Sequence, residues 1–380
     1  MRRCVFLKLR VGVLFGGRSG EHEVSLKSAA SVMEALDKDR YEIIPIGISR
    51  EGTWLTGENV LETLSSGRLP GRNVPIAVVP DPNVGGFIYL SEQKGPPGRS
   101  FEKLDVVFPI LHGTFGEDGT VQGLLELAGI PYVGPGVLAA STGMDKIIMK
   151  MVFQQTGLPV GKYLYFLKKE WEKDKKGYLK KIEEELGYPC FIKPANLGSS
   201  VGISRANNGE ELIKGIEEAG LFDRRIVIEE SIPGREIEVS VLGNDEPAAS
   251  VPGEIVPNSD FYDYHAKYVD DRSELFIPAE LDPTLTAKIQ DLAVQTFKAL
   301  DCCGMGRVDF FVDDQSQKII VNEINTIPGF TQISMYPKLW EASGIPYREL
   351  LNRLIKLALE RFEEKKKLKT SYEANKKIKG

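Results

Sequence analysis

The chain has 380 residues, with 48 Lys and Arg against 54 Asp and Glu and a net charge of -6. That length holds two or three domains, each able to bury its own core. The balance gives no global basic field for a nucleic acid, so any phosphate binding must be local. Lys8 and Arg10 cut the opening apolar run well below signal-peptide length, and no segment approaches the ~20 apolar residues of a membrane span, so a cytoplasmic protein without a membrane partner is expected. Cys4 and Cys190 are isolated and Cys302 and Cys303 adjacent, which reads as core thiols. His22, His112 and His265 lack zinc-site spacing, and no Walker A loop occurs.

In chain order, VGVLFGGRSGEHEVSLKSAASVMEAL from Val11 reads as a strand, a glycine turn and a helix with Leu26, Ala29, Ala30, Met33 and Leu36 inward. Gly16, Gly17 and Gly20 mimic a dinucleotide fingerprint without its spacing. Glu21 reads by itself as an acid at a helix N-terminus. Residues 41–48 make the next strand, and 70–98 a surface excursion or hairpin around the apolar run 76–79. The run 104–111 has the continuous apolarity of a parallel strand covered on both faces. It ends in HGTFGEDGTVQGLLELAG, which places His112 and a glycine loop where sites gather in open α/β sheets; a lone His there also suits a structural role.

A domain boundary is expected near 134–140, followed by a helix with Met144, Ile147, Ile148, Met151 and Val152 inward. Strands at 160–166 and 189–193 flank a helix at 173–186 and lead to KPANLGSSVGISRA. There Lys193 and a Gly-Ser-rich loop offer a cation and backbone N–H groups to phosphate, or else a solvated lysine and a linker. Strands at 225–230 and 235–242 flank a Pro-Gly turn, the irregular stretch between Pro257 and Pro278 reads as a lid, and a helix covers 284–300. After a final helix at 347–362, a lysine-rich tail is expected to fray into disorder.

The most informative stretch is MGRVDFFVDDQSQKIIVNEINTIPGFT, 305–331, in which apolar runs 308–312 and 319–324 form a hairpin. Period-2 alternation puts Glu323 and Asn325 on one sheet face and pairing brings Asp309 alongside, an oxygen-only set suited to a hard ion such as Mg2+. Arg307 shares that face, and Pro328-Gly329 turns the chain beyond it.

An Arg-x-Asp strand, a Glu-x-Asn strand and a Pro-Gly turn in this order resemble the metal-binding core of the ATP-grasp ligases. The flanking strings resemble the D-alanine–D-alanine ligases over about 11–354. The resemblance implies an α/β, three-domain ATP-grasp architecture: a doubly wound parallel-sheet substrate domain (1–136), a central subdomain with the glycine-rich loop (137–228), a catalytic and metal domain with the lid (229–364), and the tail (365–380). It implies ATP and Mg2+, as two ions that Mn2+ can replace, two D-alanines as substrates, a homodimer, and a product for peptidoglycan precursors.

The resemblance also implies roles. Glu21 meets the ammonium of the first D-alanine and His112 its carboxylate, while Ser199 lies near the substrate. Lys146, Lys193 and Lys267 serve the phosphates, and Glu229, Ile232 and Glu236 the adenine and ribose; Glu230 stands where relatives carry Lys. Tyr268 faces the acceptor, Arg307 and the Gly329 N–H hold the oxyanion, and Ser334 and Met335 hold the second carboxylate. Lys267-Tyr268 matches dipeptide-forming ligases, whereas His265 nearby leaves D-lactate open as acceptor at lower pH. The rivals are another carboxylate–amine or D-alanine–D-lactate ligase and a non-catalytic nucleotide sensor, against which every metal and phosphate position is filled.

Overall fold

The computed structural model describes residues 8–67, 73–90, 100–198, 201–256, 274–313 and 315–369. In β1 (Leu9–Gly16) neighbouring side chains part company. Val11, Val13 and Phe15 enter one core and Leu14 another, as the two-residue period of a strand covered on both faces requires. There follow α1 (His22–Ala35), β2 (Tyr41–Ile48), β3 (Trp54–Thr56), α2 (Val60–Ser66), β4 (Val74–Val78), β5 (Gly86–Tyr89), β6 (Phe101–Lys103), β7 (Val106–Ile110) and α3 (Thr120–Leu127).

These strands form one sheet in the order β6-β5-β4-β3-β2-β1-β7. Only its centre is parallel, β1 lying between β2 and β7. The expected doubly wound sheet is therefore extended by an antiparallel run, β3 to β6, in which each strand pairs with the next. Of the two readings of 70–98, surface excursion or hairpin, the hairpin holds: β4 and β5 pair antiparallel within this sheet, with Ile76 and Phe87 in its core. On α1, Ala30 is exposed rather than inward. Ser25 takes the buried face instead, because its hydroxyl accepts from Gly16 N at 2.7 Å and donates to Ile110 O.

The helix expected after the boundary is two, α4 (Val137–Met144) and α5 (Lys146–Gln155). Asp145 separates them, its carboxylate accepting from Ile147 N at 3.2 Å and Ile148 N at 3.1 Å to cap α5. This cap fixes which face turns inward. Ile147, Met149 and Phe153 are buried together with Lys146 and Lys150, while Ile148 and Met151, expected inward, are 41% and 36% exposed. Next come β8 (Tyr163–Leu167), α6 (Lys168–Lys173), α7 (Lys175–Glu185), β9 (Cys190–Pro194), β10 (Ser204–Ala206), α8 (Gly209–Ala219) and β11 (Arg225–Glu230). The strands pair antiparallel in the order β10-β9-β11-β8 over a core that includes Trp171, Ile182 and Ile216. The helix read over 173–186 is α7, whose N-cap Asp174 accepts from Gly177 N at 2.9 Å and separates it from α6.

The last sheet is made by β12 (Arg235–Gly243), β13 (Ala248–Ala249), β14 (Gly253–Val256), β15 (Glu274–Phe276), β16 (Gly304–Asp313) and β17 (Lys318–Asn325). With them run α9 (Pro283–Ala299), α10 (Met335–Ala342) and α11 (Tyr347–Lys366). Ile237, Val239, Val241, Val308, Phe310 and Val312 share a core with Ile289 and Phe297 of α9 and Phe153 of α5. With that face apolar, Glu238, Ser240, Arg307 and Asp309 must point the other way. β17 satisfies both faces through an irregularity: Asp309 faces Glu323 but Phe310 faces Val321, so Asn322 is an extra residue. The bulge lets Val321 and Ile324 both enter the core while Glu323 and Asn325 both leave it.

α11 extends past 362, and residues 370–380 of the tail expected to fray lie outside the described residues. The helix runs to Lys366, with Lys365 Nζ 2.6 Å from the Glu126 carboxylate. Its Leu350, Leu351, Leu354, Ile355 and Ala358 join Val11, Val13, Val106 and Phe108 in one core, so the last helix packs on the first sheet. Arg361 fastens the same junction, lying 4.4 Å above the Tyr132 ring and donating to Tyr132 O at 3.0 Å and to Gly134 O. No helix among the described residues is long and apolar enough to cross a membrane.

Candidate active site

Across β12, β16 and β17 the ladder sets Glu238, Asp309 and Glu323 in one row and Ser240, Arg307 and Asn325 in the next. Three adjacent carboxylates repel one another. Arg307, only 7% exposed, counters this: its Nε and Nη2 each donate to Asp309 at 2.7 Å, and Nε lies 2.9 Å from Glu238 Oε2. Burial opposes its charge, but Asp309, Glu238 and Glu323 together hold its pKa well above the ordinary arginine value. Asn325 turns its amide nitrogen to Asp309 at 2.9 Å. Among the described residues no group of three or more His, Cys, Asp or Glu could hold a metal by itself. Two carboxylates and an amide, one carboxylate already shared with Arg307, fit a hard ion that arrives with phosphate oxygens of its own, as Mg2+ does.

The lysines come from α5 and β9. Lys146 Nζ donates to Leu197 O at 2.7 Å, which ties α5 to the loop beyond β9. Burial first, and Lys193 and Lys150 after it, pull Lys146 below the ordinary lysine range despite the attraction of Glu323. Lys193 moves up: burial works against its charge, and Glu229 and Glu323 outweigh it. Glu229 is the common counter-ion, with Oε2 2.9 Å from Lys193 Nζ and Oε1 3.3 Å from Lys150 Nζ.

Burial alone would raise the Glu229 carboxyl, yet Lys150 and Lys193 bring it from 4.5 down to about 2. The folded value is the lower one, so the stability Glu229 contributes is present above pH 4.5 and lost as pH falls toward 2. Urea unfolding of the ligand-free protein across that window is expected to lose stability more steeply with acid than the Glu229→Gln variant. Equal slopes would show the carboxylate to be uncoupled from folding.

A third group of loops meets here. Ser19 Oγ donates to His112 O at 2.8 Å and accepts from Glu21 N at 3.1 Å, locking the turn before α1 to the end of β7. The Glu21 carboxylate lies where it approaches two glycines closely. A Cβ on Gly113, whose φ is +72°, would stand 2.5 Å from Glu21 Oε2, and one on Gly198 would stand 3.1 Å away. The His112 ring has Ser28 Oγ 3.4 Å from Nε2 and Ile327 O 3.2 Å from Nδ1, so both nitrogens face protein partners. Glu117 clamps the same loops, accepting from Gly113 N at 2.7 Å and Ile327 N at 3.2 Å.

Beyond β17, Gly329 lies against the Ser334 hydroxyl, which accepts from Thr331 N at 3.1 Å. Met335 buries its side chain with Ile255 and Leu339 and begins α10, so its backbone N–H is the group it can offer a carboxylate. Ile232 packs on Gly161 between β11 and β12, and Glu236 on β12 stands on the Glu238 face. Glu230, the departure noted in the sequence, accepts from Lys162 N at 2.7 Å. Ser199, His265, Lys267 and Tyr268 lie outside the described residues. Glu117, Glu238 and Lys150 are additions to the sequence reading. The E-I-E-V-S alternation of β12 signalled Glu238, and the Lys146–Lys150 spacing of one helical turn signalled Lys150.

An acidic hairpin whose Glu323 acts on the buried Lys146 and Lys193 of the neighbouring elements fits an ATP-dependent ligase of the ATP-grasp class. The family model described as D-ala D-ala ligase N-terminus matches residues 10–135, and that described as D-ala D-ala ligase C-terminus matches 152–356. The D-alanine–D-alanine ligase of Natranaerobius thermophilus is 54% identical over 365 residues, covering 96% of this chain and 99% of the relative. That of Heliobacterium modesticaldum is 52% identical, covering 95% and 97%. Among solved structures, the D-alanine–D-alanine ligase from Coxiella burnetii superposes with a TM-score of 0.82 at 38% identity, covering 95% of this chain and 96% of its own. The VanG D-Ala:D-Ser ligase from Enterococcus faecalis gives the same TM-score of 0.82 at 38% identity, covering 93% and 100%. The chain belongs to the D-alanine–D-alanine ligase family.

Proposed function

We propose that the chain joins two D-alanines into D-alanyl-D-alanine for peptidoglycan precursors, acting in the cytoplasm as a homodimer and consuming one ATP through a D-alanyl phosphate. Relatives above half identity over nearly the whole chain support the substrate. The observation that carries the site is the polar sheet face, on which Asp309, Glu323, Asn325 and Arg307 stand beside the Lys146–Lys193–Glu229 group.

In this reading Mg2+, as two ions that Mn2+ can replace, would be held by Asp309, Glu323 and Asn325 and would draw charge from the transferring phosphoryl group. Lys146, Lys193 and Lys267 neutralise the polyphosphate, and Glu229, Ile232 and Glu236 orient the nucleoside. Glu21 receives the ammonium of the first D-alanine, whose carboxylate oxygen attacks the γ-phosphorus as ADP leaves. His112 and Glu117 hold the loops around that substrate. Ser334 and the Met335 N–H hold the second carboxylate, and Ser199 and Tyr268 close the site. The second amine then attacks the acyl carbon. Arg307 has spent Nε and Nη2 on Asp309, and its remaining N–H groups, with the Gly329 N–H, meet the oxyanion before phosphate departs.

The acceptor has a rival, because a D-Ala:D-Ser ligase is as similar in fold as a D-Ala:D-Ala ligase. A mixture of D-alanine, D-serine and D-lactate with ATP and Mg2+, read by phosphate release and product mass, separates the readings. D-alanyl-D-alanine is expected to predominate at pH 7. Predominance of a serine dipeptide or a depsipeptide would overturn the acceptor, and ATP binding without D-alanine-dependent phosphate release would make the chain a sensor.

A further inference from the structure

Lys150 has no part in the chemistry above, yet it is one of the most enclosed cations among the described residues at 4% exposed. It sits one helical turn after Lys146 on the same face of α5. Its ammonium has three neighbours from three other elements: Glu229 Oε1 on β11 at 3.3 Å, Asn322 O at the β17 bulge at 3.5 Å, and the Tyr163 ring of β8 at 5.9 Å. A cation in such a place is a weak device for stability, since a well-packed apolar side chain does as well or better. The identity of its partners suggests another use. Glu229 also pairs with Lys193, and Asn322 is the extra residue that turns Glu323 out of the core.

We propose that Lys150 is a positioning residue for the nucleotide site, holding Glu229 and the Asn322 carbonyl so that one side chain sets both the phosphate lysine Lys193 and the metal carboxylate Glu323. The inference rests on the roles given above to Lys193 and Glu323. With Lys150 present, Glu229 divides its charge between two cations, one on each oxygen, and Lys193 keeps N–H groups for phosphate. Without it, Lys193 becomes the sole counter-ion of a buried carboxylate and is drawn toward it. The bulge carbonyl loses its donor in the same stroke, which frees the backbone beside Glu323.

Binding of the non-hydrolysable analogue adenylyl imidodiphosphate with Mg2+, measured by calorimetry, tests this directly. Lys150→Met is expected to weaken binding about tenfold and to raise the Mg2+ half-saturation of turnover, with the KM for D-alanine within about twofold of wild type. Lys150→Arg, which keeps the charge, is expected to recover most of the loss. Action through Glu229 makes the pair non-additive, so Lys150→Met with Glu229→Gln binds no worse than the weaker single variant. Lys193→Met is the control for the site itself: normal binding there overturns the assignment of the phosphate lysine. Weak binding there with normal binding in a folded Lys150→Met overturns the positioning role alone. Additive losses, or failure of both Lys150→Met and Lys150→Gln to fold, would make the residue a structural counter-ion and also overturn it.

Discussion

Glu323→Gln is expected to leave a folded protein whose ATP turnover falls by about 100-fold or more, equivalent to about 2.7 kcal/mol of transition-state stabilisation. The fold survives because the substitution conserves volume on a half-buried polar face, while the backbone pairing with Asp309 and the inward turn of Val321 and Ile324 stay as they are. On the proposed Mg2+ site, turnover fails because one of its two carboxylates is gone and the other, Asp309, already shares both its oxygens with Arg307. Circular dichroism with phosphate release over a Mg2+ titration checks both halves. Near-normal turnover at ordinary Mg2+ would place the ion elsewhere.

Arg307→Met strikes at stability as well as catalysis. It strands Asp309 and Glu238, two carboxylates on neighbouring strands, and breaking such a buried pair costs about 3–5 kcal/mol. Arg307→Lys is expected to fall between, since a point ammonium cannot span Asp309 bidentately and still reach Glu238. Adding Glu238→Gln to Arg307→Met is expected to restore part of the stability and none of the turnover. Urea midpoints of the three variants give the result, and a loss below about 1 kcal/mol in Arg307→Met would mean that solvent, not Arg307, screens the two acids.

The hairpin was legible as structure because two apolar runs flank a polar turn, and its acids stood out because they interrupt that apolar alternation. Its bulge was hidden, since Ile319, Val321, Glu323 and Asn325 read equally well as one face until the core claims the first two. The inward face of α5 was misread for a related reason. Ile148 and Met151 are apolar and Lys146 and Lys150 are charged, so hydropathy ranks them in the opposite order to their burial. Asp145 carried the correcting signal, because an N-cap breaks the run into two helices and fixes the phase of the second. Of the run β3 to β6 only the β4–β5 hairpin was offered by the sequence, because the other strands are short and Pro- and Gly-rich turns dominate the text. Glu117 and the ring of His112 act across more than 200 residues of chain on the backbone of Ile327, a relation with no periodic trace.

α11 gives the chain an unusual order of assembly. The strands β1 and β7 bury Val11, Val13, Val106 and Phe108 beneath Leu350, Leu351, Leu354 and Ile355, which are made after both later sheets. Translation therefore cannot finish the first sheet before the second and third have emerged, although domains made in sequence usually fold in sequence. A nascent chain that stalls within the β16–β17 hairpin lacks the cover of α11 on this apolar sheet face and leaves it open to chaperones and proteases. Release of the C-terminal helix is thus the step that closes the N-terminal fold.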